Sequence, residues 1–157
     1  MRKRIVNQGI RDVSPSNQQW LNLEDLAQVE VTSEDPAHPI ESALIPGAGP
    51  GWRPEQPGEQ TVRLLFDGPQ RVRRMRLVFQ EDKQPRTQQF VLRWSSDGGQ
   101  SYREIVRQQF NFSPPDTTRE FEDYTVEIDG LTALELSIVP DISGSSARAS
   151  LAELRLG

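Results

Sequence analysis

Clusters of turn-forming residues interrupt this chain too often for long helices to form. They recur as Glu34-Asp35-Pro36, Pro46-Gly47-Ala48-Gly49-Pro50-Gly51, Asp67-Gly68-Pro69, Asp97-Gly98-Gly99, Pro114-Pro115 and Asp129-Gly130. Proline lacks a backbone donor and glycine weakens a helix interior, so each cluster ends the element before it. The stretches between them alternate apolar and polar residues with the period of two that marks half-buried strands. Val29 and Val31 share a face, as do Val62, Leu64 and Phe66, then Met75, Leu77 and Phe79, then Phe90, Leu92 and Trp94. Tyr124, Val126 and Ile128 form a later set, and Leu134, Leu136 and Ile138 another. Ile40 to Ile45 reads as a short apolar return strand, the segment 108–120 as a long loop, and Ser150 to Leu156 as a closing strand. Val72 is out of phase with Met75 by one residue, which predicts a bulge at Arg73-Arg74. The pattern gives about eight or nine strands at roughly 8–12-residue spacing, as in an all-β antiparallel sandwich.

The 157 residues suit one domain with a substantial core. Residues 1–26 read as an N-terminal extension packed on a sandwich that spans 27–157. Within the extension, Trp20, Leu21, Leu23 and Leu26 fit a helical turn or a strand entry. The basic start, Arg2-Lys3-Arg4, has no apolar run behind it, so no signal peptide is expected and the expected location is cytoplasmic. No stretch approaches the ~20 apolar residues that span a bilayer. There is no cysteine, which excludes disulfides and thiolate chemistry.

The net charge of -5 argues against broad nucleic-acid binding, which draws its affinity from neutralising phosphates. The run Arg71, Arg73, Arg74 and Arg76 is expected to pair across strands with acids such as Glu127 and Glu135. Catalysis finds little footing. There is one histidine, and neither a nucleophile motif nor a phosphate-binding loop. The adjacent acids Glu34-Asp35, Glu81-Asp82 and Glu122-Asp123 read as solvated turn and strand residues. The expectation is a binding protein, not an enzyme.

Three motifs in fixed order carry a family resemblance. The first runs from Ser33-Glu34-Asp35 through Ile40-Glu41-Ser42-Ala43-Leu44 to Gly51-Trp52 and Gln60-Thr61-Val62. The second is Phe90-Val91-Leu92-Arg93-Trp94-Ser95-Ser96-Asp97-Gly98-Gly99 followed by Tyr102. The third is Leu151-Ala152-Glu153-Leu154-Arg155-Leu156-Gly157. Together, over residues 27–157, they resemble discoidin domains (coagulation-factor C-type domains) and the related family 32 carbohydrate-binding modules. The resemblance implies a galactose-binding-like jelly-roll sandwich with ligands at the loops of one end. It also implies that Trp52 is a buried structural residue, and that carbohydrate or protein is the partner. A structural calcium in such domains draws on a closing-strand carboxylate, here Glu153. Its usual Asp-Gly partner is replaced by Ile45-Pro46, so no cofactor is expected.

By the same topology, the loops 34–39, 81–87, 108–120 and 141–148 gather at one end. They offer His38, Asp82, Arg86, Phe110, Asn111, Phe112 and Arg148 as ligand-binding residues. A sugar site wants an aromatic face for the ring and planar polar groups for its hydroxyls. The first reading is therefore a non-catalytic module for a carbohydrate-like ligand, with exposed Phe110 or Phe112 as its platform. The alternative is a cytoplasmic protein-interaction or assembly domain, which predicts a flat apolar patch. Oligomeric state is left open.

Overall fold

The computed structural model describes residues 20–157. The expectation for residues 1–19 therefore lies outside the described residues. The elements in order are α1 (Leu23–Leu26), β1 (Ala27–Val31), α2 (Glu41–Leu44), β2 (Gln60–Gln80), β3 (Arg86–Ser95), β4 (Arg103–Phe112), β5 (Arg119–Val139) and β6 (Glu153–Leu156). No helix among the described residues is long and apolar enough to cross a membrane.

Two strands build the architecture. β2 and β5 pair antiparallel along most of their length, and their register breaks between Leu65 and Gln70. Asp67-Gly68-Pro69 falls at that break, and Asp129-Gly130 at the next shift, between Gln70 and Val72. Both had the look of turns that end a strand. Instead the ribbon bends there and continues, each strand passing from one layer of a sandwich to the other. The first half of β2 pairs with β1 and with the second half of β5, which in turn pairs with β3, and β3 with β4. The second half of β2 pairs with the first half of β5 and with β6. Six continuous strands thus supply a five-stranded and a three-stranded layer, all antiparallel.

The period-two faces form the interior. Val62, Leu64, Met75, Leu77, Phe79, Phe90, Leu92, Leu134, Leu136 and Ile138 are all buried in one cluster. Phe79 and Phe90, from opposite layers, lie with ring centroids 5.1 Å apart. Burying a side chain of this size contributes about 1.5–3 kcal/mol. The register shift between Val72 and Arg74 is the expected bulge, and it returns Val72 to the core.

The segment 40–45 departs from its expected strand. Pro39 and the Glu34 carboxylate, which accepts from the Ile40 N–H at 2.8 Å, start a helical turn, α2. Its Ser42, Ala43 and Leu44 are buried. The segment 108–120 is also less of a loop than expected. β4 runs through Phe112, and β5 starts at Arg119. Residues 20–26 pack on the sandwich: Leu23 is in the core, and the Leu21 N–H donates to Leu156 at 2.6 Å.

The exposed arginines do pair across strands, with partners that differ in part from those expected. Arg74 and Arg76 meet Asp123 at 2.8 and 3.2 Å, and Arg73 meets Asp129 at 3.0 Å. Glu135 instead lies opposite Arg63 and Arg93 and pairs with both. Glu135 sits in the other layer from the arginine run, beyond the ribbon's bend.

One inward face is not apolar. Glu120, Glu122 and Tyr124 of β5 lie opposite Phe79, Leu77 and Met75. Glu120 is 1% exposed and accepts one hydrogen bond, from Gln88 Nε2 at 3.0 Å. Its second oxygen and the Tyr124 hydroxyl are buried without a partner among the described residues. Burial first, then the neighbouring Glu122, pushes the Glu120 carboxyl up to about 9.

Candidate functional site

The loop end of the sandwich carries a cleft of about 540 Å³ lined by Asp35, His38, Arg53, Pro54, Glu81, Lys83, Gln84, Ser146 and Arg148. A smaller recess of about 170 Å³ adjoins it, sharing His38 and Arg53 and adding Asp82 and Gln80. Each wall is held by its own local chemistry.

The first wall is the turn 35–38. Asp35 Oδ1 accepts from the Ala37 N–H at 2.9 Å, the usual way an aspartate closes a tight turn. The His38 N–H donates to the Asp35 carbonyl at 2.8 Å, and the ring Nδ1 lies 3.3 Å from Asp35 Oδ2. The Ala37 N–H holds the Asp35 carboxyl below its ordinary value. Burial opposes this, while His38 and, last, the Arg148 charge reinforce it. Arg53 is stitched alongside through backbone bonds to Asp35 and His38.

Trp52 anchors this wall from within. It is 1% exposed, its indole N–H donates to the Ser33 carbonyl at 3.0 Å, and its backbone exchanges two bonds with Leu151. Gly51 permits that approach. Its φ is +125°, and a Cβ there would sit 2.7 Å from the Leu151 carbonyl oxygen.

The second wall is the loop 81–84. Glu81 Oε2 accepts from the backbone of Lys83 and Gln84, and Oε1 accepts from Arg86 Nε at 2.7 Å. Burial would raise the Glu81 carboxyl, but the Arg86 hydrogen bond and the Lys83 N–H together bring it below its ordinary value. Arg86 is 3% exposed. It also donates to Gln88 Oε1, the Pro140 carbonyl and Ser150 Oγ, and its guanidinium lies 4.7 Å from the centre of the Phe112 ring. Burial lowers the Arg86 guanidinium and Glu81 opposes that.

The third wall is the loop 141–148. Asp141 accepts from Ser143 and Ser145 hydroxyls at 2.6 Å and from backbone N–H groups, which bring its carboxyl down to about 2. This ties the loop into a fixed course that presents Ser146 and Arg148 to the cleft.

Of the expected ligand residues, His38 and Arg148 line the main cleft and Asp82 the recess. Arg86 lies beneath the cleft and shapes it through Glu81. Phe112 is 2% exposed, and half-buried Phe110 packs edge-on against it at 5.0 Å. The aromatic platform expected of these two residues is therefore turned into the interior, because β4 carries both on its core-facing side. Asn111 faces away from them and accepts from Thr87 Oγ1 at 2.7 Å. Glu153 faces Arg76 and Arg155 at 4.0 and 3.8 Å. Among the described residues no three His, Asp or Glu side chains gather around Glu153 or elsewhere.

Sequence reasoning missed Arg53, Lys83 and Gln84. The signal for Arg53 was present, since a buried Trp52 in extended chain sends its neighbour outward. Lys83 and Gln84 lay in an expected loop, but nothing distinguished them from Asp82.

No protein-family model and no curated protein matches the sequence. Solved structures do match. The family 32 carbohydrate-binding module of NanJ from C. perfringens, solved with galactose, is 14% identical, with a TM-score of 0.64 over 88% of this chain and 97% of that one. A second family 32 module from Clostridium perfringens, solved with GalNAc-β-1,3-galactose, is 18% identical, with a TM-score of 0.64 over 87% and 98%. The family 32 module of AlyQ, solved with 4,5-unsaturated mannuronic acid, is 14% identical, with a TM-score of 0.62 over 85% and 95%. The fold is that of discoidin-like, galactose-binding-like β-sandwiches.

Proposed function

We propose that this domain is a non-catalytic carbohydrate-binding module whose ligand occupies the cleft between the turn 35–38, the loop 81–84 and the loop 141–148. The observation that carries the reading is the cleft itself. Three braced loops converge there and, with Arg53 beside the first, present His38, Lys83, Gln84, Ser146 and Arg148, which are donors suited to hydroxyl and ring substituents. Support comes from the sugars held by structures of the same fold.

The way the histidine and the acids are held supports the non-catalytic reading. The His38 ring bonds only to Asp35 among the described residues. Glu81 is committed to Arg86, and Glu120 with Glu122 faces the interior. The assembly-domain alternative calls for a flat apolar patch. The exposed large hydrophobics among the described residues are Phe121 and Ile142, one on β5 and one on a loop, and single exposed apolar residues are ordinary.

A thermal-shift panel of mono- and oligosaccharides tests the reading. Ligand binding stabilises the folded state by mass action. At least one saccharide class should raise the melting temperature in a concentration-dependent way, and His38→Ala should abolish the response. A flat response to every saccharide would overturn the proposal.

A further inference from the structure

The charge in the cleft specifies more than its shape does. Most described arginines have an acid partner, including Arg63, Arg74 and Arg76 on exposed strand faces. Arg53, Lys83 and Arg148 have none within ion-pair distance among the described residues, and all three line the cleft. Of the acids that share it, Glu81 is balanced by buried Arg86, while Asp35, held by the Ala37 N–H and His38, keeps its charge, so positive charge remains in excess. Arg103 and Arg119 also have no acid partner among the described residues but lie on β4 and β5 outside the cleft, so the cleft is where three such cations meet in a chain of net charge -5. Among the described residues no Phe, Tyr or Trp side chain lines the main cleft, so the broad stacking face that holds a neutral sugar ring is missing there.

From this we infer that the ligand is an acidic glycan, one bearing carboxylate or sulfate groups, held by Arg53, Lys83 and Arg148. The inference rests on the carbohydrate-binding reading above and names the ligand class. Guanidinium groups present paired donors that match the two oxygens of a carboxylate or the oxygens of a sulfate ester, and a lysine ammonium adds a point charge. Such charge-assisted bonds are roughly twice as strong as those to sugar hydroxyls. Asp35 would at the same time repel a wrongly placed anion and accept from a hydroxyl. That distinguishes a sparsely charged sugar chain from a densely charged polyphosphate.

The test uses the full chain and matched ligands in titration calorimetry. Oligogalacturonates are compared with their fully methyl-esterified forms, and sulfated carrageenan oligosaccharides with neutral agarose oligosaccharides. A single-stranded oligonucleotide serves as the polyphosphate probe. The expected result is that one charged member binds at least about tenfold tighter than its neutral counterpart, with affinity that falls as salt rises. The pair that shows the gap tells carboxylate from sulfate. Arg53→Gln and Arg148→Gln should each erase most of that advantage while the melting temperature of the free protein changes little, since neither side chain has a hydrogen-bond or ion-pair partner among the described residues. Equal affinity for charged and neutral forms would overturn this inference and leave the carbohydrate reading standing. Binding of none of the glycans would overturn both. Tighter binding of the oligonucleotide than of any glycan would overturn the ligand class.

Discussion

Replacing Glu120 by glutamine should stabilise this protein at neutral pH, by an amount that grows with pH. Glu120 is 1% exposed, with one hydrogen bond from Gln88 and one orphaned oxygen. Its carboxyl ionises near 4.5 in an unfolded chain and is pushed up to about 9 in the fold. The folded-state value is the higher one, so folding favours the protonated form. Its contribution is intact below pH 4.5 and is lost as pH rises towards 9, because the unfolded chain gives up its proton first. Each pH unit in that window costs about 1.4 kcal/mol, so at pH 7 the cost is about 3 kcal/mol. Glutamine keeps the shape and the acceptor for Gln88 Nε2, cannot ionise, and can donate to Glu122. Urea unfolding of both proteins at pH 5, 7 and 8.5 measures the effect. The advantage of Glu120→Gln should be small at pH 5, about 3 kcal/mol at pH 7 and larger at pH 8.5. Parallel stability profiles, or a variant less stable at pH 7, would refute the reasoning.

Two further outcomes follow from the same geometry. Arg86→Ala should cost about 3–5 kcal/mol in chemical denaturation, because it leaves the Glu81 carboxylate buried without its partner. It should also weaken any cleft ligand, since Glu81 holds the loop that presents Lys83. Gly51→Ala should cost about 1–3 kcal/mol, because φ is +125° and the new Cβ meets the Leu151 carbonyl. A melting temperature equal to that of the parent would show that the Trp52–Leu151 bridge can shift.

Much of this fold was legible because period two governs both the sequence and the sheet. Val62, Leu64 and Phe66, or Phe90 and Leu92, are buried where their alternation puts them. The misphased Val72 even located a bulge. The errors arose where a local signal had two structural uses. Asp67-Gly68-Pro69 and Asp129-Gly130 carry turn chemistry, yet they fall at successive register shifts of two paired strands and bend a ribbon that continues. Ile40 to Ile45 is apolar enough for a strand, but its start is a helical turn whose Ile40 N–H is taken by Glu34 from six residues away. The cleft was only partly legible. His38 and Arg148 sit in loops whose convergence the resemblance implied. Arg86 and Phe112 had the right chemistry in the right stretch, but burial depends on the partner layer, which no local pattern reports.

The central claim is that the cleft between residues 35–38, 53, 81–84 and 146–148 receives an acidic sugar. A backbone amide NMR titration of the full chain with short oligogalacturonates and sulfated galactan oligosaccharides tests it most directly. The account predicts saturable shifts concentrated at His38, Arg53, Lys83, Gln84, Ser146 and Arg148, while Phe110 and Phe112 stay still. Shifts confined to the outer face around Arg74, Arg76 and Phe121, or no saturable shifts with any of these sugars, would contradict it.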